Sequence, residues 1–216
     1  MKKFILAMAA LTFSFGVMSA QDLASATATY NSGAEALTMG NKTSALEYFQ
    51  KALTMAESLG EEGAEVATNC KNAIPSVILS IGKEFYNNKD FSNAKAKFVE
   101  AAEVAKQYGN EEVTAEVESL LPTVGKRIAL AKVNEAMKNK DIAGVLAGYE
   151  EAMAIDTTDA NTALKYGQFL GNAGKYDDAV KYLELAARHG QEGNAKSVLS
   201  TTFLKNAAAQ LKAGKY

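Results

Sequence analysis

The chain is short of several residue types, and each shortage excludes a class of structure or chemistry. It has one cysteine, Cys70, so it cannot form an internal disulfide. It has one histidine, His189, which excludes His-rich zinc sites and weakens any scheme that pairs serine or cysteine with histidine. Two of its 216 residues are proline and none is tryptophan. With abundant Ala, Leu, Glu and Lys, this composition predicts an all-α chain stabilised by helix packing.

The chain also lacks a basic excess and, beyond its first residues, any long apolar stretch. The apolar stretch 4–17 follows Lys2 and Lys3 and precedes Ser19 and Ala20. This layout predicts a bacterial secretory signal peptide over 1–20, cleaved after Ala20 or after Ser19, and hence a periplasmic or otherwise exported protein. An uncleaved N-terminal anchor is the alternative. Residues 21–216 then carry 21 of the 23 basic residues against 25 acidic ones, which argues against a general nucleic-acid binder.

Signatures of common catalytic sites are missing from the sequence. It contains no G-x-S-x-G, no G-x-x-x-x-G-K-[ST] and no H-E-x-x-H motif. The run Asp156-Thr157-Thr158-Asp159 resembles calcium ligands but lacks the spacing and glycine of an EF-hand loop, so we interpret it as a turn that caps the next helix. His189 is interpreted as a helix-end residue that interacts with the dipole. We therefore expect no catalytic residue, no metal and no cofactor.

One pattern of residues, in contrast, occurs four times. Each copy begins with a glycine or valine, which is followed 12, 16 and 19 residues later by a small residue, a bulky residue and alanine. The copies are Gly33–Ala45–Phe49–Ala52, Gly82–Ala94–Phe98–Ala101, Val133–Val145–Tyr149–Ala152 and Gly167–Ala179–Leu183–Ala186. Such a repeat predicts a helix–turn–helix unit copied along the chain, and arrays of such units typically hold partners.

The pattern resembles the tetratricopeptide repeat. The second copy reads Ile78-x-x-Ile81-Gly82-x-x-Phe85 and the fourth Ala163-x-x-Tyr166-Gly167-x-x-Leu170, each followed by the alanine and bulky residue of the family pattern. Departures are Thr29, Ser32, Lys132 and Val133, where the family has large residues or Leu-Gly. The resemblance covers 22–216 and implies a right-handed α-solenoid. The units of this predicted solenoid lie at about 27–60, 75–108, 126–159 and 161–192, and a closing helix follows at 194–213.

Uneven spacing of the copies predicts two elongated helices. The pattern positions are 49, 51 and 34 residues apart, and the extra residues of the first two intervals precede Pro75 and Pro122. Apolar residues keep helical phase through both prolines, which favours long helices bent there; separate short helices that end at the prolines are the alternative. In the closing helix, Phe203, Ala207 and Leu211 share one face, which we expect to close the last open interface.

The resemblance also implies a binding site, because first helices line the concave groove of the family. The polar and aromatic groove positions transferred to this chain are Lys83, Tyr86, Asn87, Arg127, Asn134, Lys138, Asn161, Gln168 and Asn172. They include three basic residues and no acidic one, whereas the second helices carry many glutamates. This contrast suggests an acidic or carboxylate-bearing peptide as ligand. The carboxylate clamp of some relatives is not reproduced, since Leu79 and Leu130 replace its basic residues.

Three functions follow from these observations. The leading hypothesis is a non-catalytic scaffold that binds a protein or peptide in the bacterial cell envelope, with its oligomeric state left open. The second is a structural component that self-associates within an envelope assembly. The third is an enzyme of unrecognised type, because a fold alone never excludes a grafted site. Cys70 falls on an apolar stripe and is expected to be buried and inert; a reactive thiol is the alternative.

Overall fold

The computed structural model describes residues 21–214, so the predicted signal peptide lies outside the described residues. Within them the chain is all helical and has no strand, which confirms the predicted fold class. Nine α-helices follow one another in this part of the chain: α1 (21–38), α2 (Lys42–Ser58), α3 (Ala64–Asn87), α4 (Phe91–Tyr108), α5 (Glu111–Lys138), α6 (Ile142–Ile155), α7 (Ala160–Asn172), α8 (Tyr176–Ala186) and α9 (Glu192–Lys212). A 3-10 turn, Gly60–Gly63, follows α2, and a π-helical turn, Ala187–Gln191, follows α8.

The chain divides into two compact units, Met1–Leu121 and Pro122–Tyr216. In the first unit α3 packs against both α2 and α4. In the second unit α7 packs against α6, α8 and α9, and α8 also packs against α9. Within each unit, the helices of these pairs are consecutive in the sequence or, for α7 and α9, one helix apart, as in a helical repeat array.

The repeated pattern forms the core of each helix hairpin. All four positions of every copy are buried, and the alanines at the last position are fully inaccessible. The bulky residue lies directly against the glycine: a Cβ added at Gly33 would be 2.8 Å from Phe49, one at Gly82 2.6 Å from Phe98, and one at Gly167 2.7 Å from Leu183. Only glycine at these positions lets the two helices approach so closely without displacing that side chain.

The third hairpin reaches the same packing with the small residue on the other helix. Val133 occupies the position of the glycine. Its side chain packs against Gly148 of α6, the residue before the pattern residue Tyr149. A Cβ at Gly148 would lie 2.6 Å from a methyl carbon of Val133 and 3.2 Å from the carbonyl oxygen of Ala129. The departure from Leu-Gly in this unit is therefore compensated within the hairpin.

The turns inside the four hairpins share one backbone conformation. Gly40, Lys89, Lys140 and Gly174 all have left-handed φ values, of 80°, 63°, 55° and 78°. The residue after each is the N-cap of the second helix, and Asn41, Asp90 and Asp141 accept a hydrogen bond from the backbone N–H three residues on. Lys175 makes no such side-chain bond. At two of the four turns, Lys89 and Lys140 adopt a left-handed conformation that favours glycine.

Both prolines lie inside continuous helices, α3 and α5. The elongated helices predicted from the apolar phase are confirmed, and the alternative of short helices ending at Pro75 and Pro122 is wrong. The reason is visible in α3, where Val66, Cys70, Ile74 and Val77 are all buried on one stripe on either side of Pro75. Burial of this stripe outweighs the hydrogen bond that proline removes.

The closing helix forms, but it packs by a different face than predicted. Ala195 and Thr202 are buried, and Thr202 reaches so close to α7 that a Cβ at Gly171 would be 2.9 Å from its hydroxyl oxygen. Phe203 and Leu211, expected to close the last interface, are 55% and 64% exposed. The expectation failed because periodicity shows which residues share a face but not which face meets the neighbouring helices.

Candidate peptide-binding cleft

A cleft of about 530 Å³ within the second unit is formed by three consecutive elements. The first turns of α5 after Pro122 contribute Lys126 and Arg127, and the end of α6 contributes Ile155 and Asp156. The start of α7 completes the wall with Asp159, Asn161, Thr162 and Lys165. Charged and amide groups therefore line the cleft beside the apolar side chains of Leu130 and Ile155.

Three of the lining residues form an ion cluster. The Lys126 ammonium lies 3.0 Å from a carboxylate oxygen of Asp156 and 3.0 Å from one of Asp159. Burial alone would lower the pKa of Lys126, but its hydrogen bonds to the two carboxylates outweigh burial and leave that pKa raised. Hydrogen bonds from Lys126, and then from Thr158, hold the pKa of Asp156 below its usual value. All three groups are therefore charged at neutral pH.

Asp159 has two roles in this arrangement. It is the N-cap of α7, and its side chain accepts hydrogen bonds from the backbone N–H groups of Asn161 (3.1 Å) and Thr162 (3.3 Å). The hydroxyl of Thr162, itself buried, donates to its other oxygen at 2.6 Å. Partial burial would raise the pKa of Asp159, but the hydrogen bonds from Thr162 and Lys126 lower it overall. The interpretation of 156–159 as a capping turn is thus confirmed.

The lining of the cleft keeps a net positive charge once the ion cluster is formed. Its basic lining residues are Lys126, Arg127 and Lys165, against the two carboxylates that Lys126 already contacts. Arg127 and Lys165 are exposed. They take no part in the ion pairs of the described residues of this unit, which are Lys126–Asp156, Lys126–Asp159, Lys132–Glu151 and Lys196–Glu192. The cleft therefore offers a guanidinium and an ammonium to a ligand.

Of the predicted groove residues in the second unit, the structure brings Arg127 and Asn161 into this cleft. Asn134, Lys138, Gln168 and Asn172 are exposed and lie outside its lining. Two of the asparagines have partners within the chain: Gln191 Nε2 donates to Asn161 Oδ1 at 2.7 Å, and Lys205 Nζ donates to Asn172 Oδ1 at 2.6 Å. These bonds link α7 to α9 and to the turn before it.

The predicted residues of the first unit, Lys83, Tyr86 and Asn87, lie on α3. The Lys83 ammonium is 2.6 Å from a carboxylate oxygen of Glu116, so its charge is balanced by an acidic residue that the predicted set omitted. The Tyr86 ring packs edge-on against Phe91 at 5.3 Å between centroids, and Asn87 is exposed. Lys83 is thus a less available anion-binding group than Arg127.

Sequence reasoning missed Lys126 and Lys165, although a signal for each was present. Lys165 follows Asn161 by four residues and so lies on the same face of α7. Lys126 precedes Leu130, a predicted groove position, by the same spacing. The pairing of Lys126 with two aspartates thirty or more residues away had no sequence signal, because it depends on how α5 and α7 pack.

Two further features of the described residues bear on function. Between residues 21 and 214 no three acidic, histidine or cysteine side chains cluster as metal ligands would, and no helix there is long and apolar enough to cross a membrane. Cys70 is fully buried, and burial raises the pKa of its thiol to about 11. The predicted burial of Cys70 is confirmed, and the raised pKa disfavours the reactive thiolate.

No family model matches the sequence, and no curated protein matches it. Among solved structures, the chain is similar to the C-terminal TPR-containing domain of a Plasmodium falciparum FK506-binding protein, with 18% identity and a TM-score of 0.39 over 66% of this chain and 95% of that one. It is also similar to Pseudomonas aeruginosa pilF, with 16% identity and a TM-score of 0.32 over 87% of this chain and 97% of that one.

Proposed function

We propose that this protein is a non-catalytic scaffold that binds a segment of a partner protein in the cleft between α5 and α7. The observation that carries the proposal is the cleft itself, which is lined by the exposed Arg127 and Lys165 and by the Lys126–Asp156–Asp159 ion cluster. Because the ion cluster already fixes three of the lining side chains, these lose little conformational freedom when a ligand binds. Helical repeat arrays commonly use such surfaces to hold partners.

The chemistry of the cleft favours a peptide with a carboxylate beside an apolar side chain. A guanidinium such as that of Arg127 binds carboxylates through two parallel hydrogen bonds, and Lys165 adds a second positive charge. Asp156 and Asp159 are already occupied by Lys126, so they repel an incoming carboxylate less than isolated aspartates would. Leu130 and Ile155 offer apolar contact area to the neighbouring residue of the ligand.

The place of action in this proposal is the bacterial cell envelope, and it rests on residues 1–20 alone. The charged start, the uncharged stretch 4–17 and the small residues Ser19 and Ala20 are typical of a cleaved secretory signal. Native protein should then begin at Gln21 or Ala20 and fractionate with the envelope contents. N-terminal sequencing tests this, and an intact Met1 in a membrane pellet would replace export by anchoring.

A paired charge reversal tests the cleft. We expect Arg127→Glu with Lys165→Glu to reduce capture of the specific partner from envelope extract at least tenfold, as quantified by mass spectrometry. The matched control is Lys181→Glu with Arg188→Glu, which makes the same charge change at exposed positions in and after α8. Both variants should keep the helical content and melting temperature of the native protein, since exposed substitutions shift stability by only about 0.5 kcal/mol.

Two outcomes would contradict the cleft as the binding site. If the Arg127–Lys165 variant captures the partner as well as the native protein does, the cleft is not used. If the control loses the partner equally, binding depends on overall charge and not on this site.

A further inference from the structure

The helix α9 has the register of a fifth first helix. In each hairpin the pattern position lies seven residues before the left-handed turn residue: Gly33 before Gly40, Gly82 before Lys89, Val133 before Lys140 and Gly167 before Gly174. Gly214 has the same conformation, with φ 68°, and its N–H donates to the carbonyl oxygen three residues earlier at 3.1 Å, as Gly40 and Lys89 do at 3.0 Å. Seven residues before Gly214 stands Ala207, which is small like the glycines.

The corresponding face is covered in α3, α5 and α7 but open on α9. Four residues before the pattern position, Ile78, Ala129 and Ala163 are 1% exposed or less. The equivalent residue of α9, Phe203, is 55% exposed, and Leu204 beside it is 73% exposed. Among residues 21–214 no element follows α9 to play the part that α2, α4, α6 and α8 play in the preceding hairpins. A cluster of exposed large apolar side chains of this kind marks an interaction surface.

The charge of α9 indicates what kind of helix fits there. Helix α9 carries Lys196, Lys205 and Lys212 against one acidic residue, Glu192, which pairs with Lys196 at 2.6 Å, so the helix keeps a net positive charge. The hairpin α5–α6 shows the complementary case: α6 carries Glu150 and Glu151 and no basic residue, and Glu151 pairs with Lys132 of α5 at 2.7 Å. A first helix with lysines and a second helix with glutamates therefore already meet once in this unit.

We propose that the face of α9 formed by Phe203, Leu204, Ala207 and Leu211 binds an acidic amphipathic helix of another protein, which completes a fifth hairpin. The bound helix presents a small residue, a bulky residue four positions later and alanine three positions after that, the spacing by which α2, α4, α6 and α8 cover their own first helices. This surface is separate from the cleft between α5 and α7, and it stands whether or not that cleft binds a ligand.

The test uses a synthetic helix as probe. A fluorescently labelled peptide with the sequence of residues 141–156, capped at both ends, carries the spacing Val145–Tyr149–Ala152 and four acidic residues against no basic one. We expect saturable binding to the chain 21–216, measured by fluorescence anisotropy, with a gain in peptide helicity by circular dichroism. Phe203→Ser with Leu204→Ser should weaken binding at least tenfold. A peptide with Glu150→Lys and Glu151→Lys should bind several-fold more weakly and lose its salt dependence.

The matched control replaces apolar residues that are exposed on other first helices, Leu37→Ser with Met137→Ser, and should bind the peptide like the native chain. The proposal is overturned if the peptide shows no saturable binding, or if this control weakens binding as much as the Phe203–Leu204 variant. It is also overturned if sedimentation shows that the native chain dimerises through Phe203 and the peptide does not compete, because the occupant is then a second copy.

Discussion

The ring of Phe98 in α4 lies directly on the backbone of Gly82 in α3. Phe98 is 1% exposed, and a Cβ placed on Gly82 would be 2.6 Å from its Cδ1. The relationship recurs between Phe49 and Gly33 and between Leu183 and Gly167. In each case a bulky residue on the second helix occupies the space that the missing side chain of the glycine leaves on the first.

Truncating the ring should therefore remove a large part of the core of this hairpin. We expect Phe98→Ala to lower the free energy of unfolding by roughly 3–5 kcal/mol, the usual cost of deleting a buried phenyl ring. Lys97→Ala, the neighbouring control, removes a partly exposed ion pair with Glu100 and should cost no more than about 1 kcal/mol. Urea unfolding measures both. Equal losses would mean that Phe98 is not the core residue of the pair.

The close approach of Phe98 to Gly82 also predicts that the effect of Gly82→Ala on stability changes sign when the Phe98 ring is removed. Gly82→Ala in the native chain should destabilise it by about 1–3 kcal/mol, because the new methyl group overlaps the Phe98 ring. In a Phe98→Ala background the same change should stabilise α3 by about 0.5–1 kcal/mol, the gain of replacing a mid-helix glycine by alanine. A double-mutant cycle by urea unfolding gives the coupling. Additive effects would contradict direct contact.

Lysine at the left-handed turn positions 89 and 140 should make the folded chain less stable than glycine would. Lys89 and Lys140 have φ values of 63° and 55°, a conformation that costs non-glycine residues about 1–2 kcal/mol. Lys89→Gly should therefore raise the free energy of unfolding slightly, by about 0.5–1 kcal/mol after the entropy of glycine in the unfolded chain is counted. Gly40→Ala is the converse variant and should destabilise. Thermal melts decide, and a loss of stability in Lys89→Gly would show that the lysine side chain contributes to the turn.

Helix α8 lacks the side-chain cap that the other second helices have. Asn41, Asp90 and Asp141 each accept a backbone hydrogen bond, whereas Lys175 accepts none. Lys175→Asn should therefore stabilise the chain by about 1 kcal/mol, because it satisfies a free N–H at the start of α8 and removes a positive charge from the positive end of its dipole. Lys175→Ala should gain less. A melting temperature for the asparagine variant at or below that of the alanine variant would refute the role of the cap.

The buried thiol predicts a specific alkaline instability. Burial raises the pKa of Cys70 from 9.0 to about 11, so the folded state holds the thiol proton more tightly than the unfolded state does. The resulting stability is complete below pH 9 and is lost as the pH rises towards 11, by up to about 2–3 kcal/mol. Tyrosines also titrate there, so the measurement is the difference in pH dependence between the native chain and Cys70→Ala. In the folded protein at pH 8, Cys70 should not react with a thiol reagent, and rapid labelling would contradict its burial.

The amino-acid sequence by itself determined the repeated hairpins and most of their core. The four copies of the pattern place small and bulky residues at a spacing that only helices bring to one face, and all sixteen positions are buried. Turn positions and the continuity of α3 through Pro75 were also predictable. These features depend on local backbone geometry and on periodicity, and both are determined by residues that are close in the sequence.

Only the tertiary structure decided how side chains from different helices meet. In the third hairpin Gly148 packs against Val133, so that the small residue of this hairpin lies on α6 and not on α5. In the first unit Lys83 pairs with Glu116. The tertiary structure also fixed Lys126 between Asp156 and Asp159 and left Phe203 exposed while Thr202 became buried. Periodicity defines the faces of a helix, but the rotation of each helix against its neighbours is set by packing over the whole unit, and so is the pairing of charges distant in sequence.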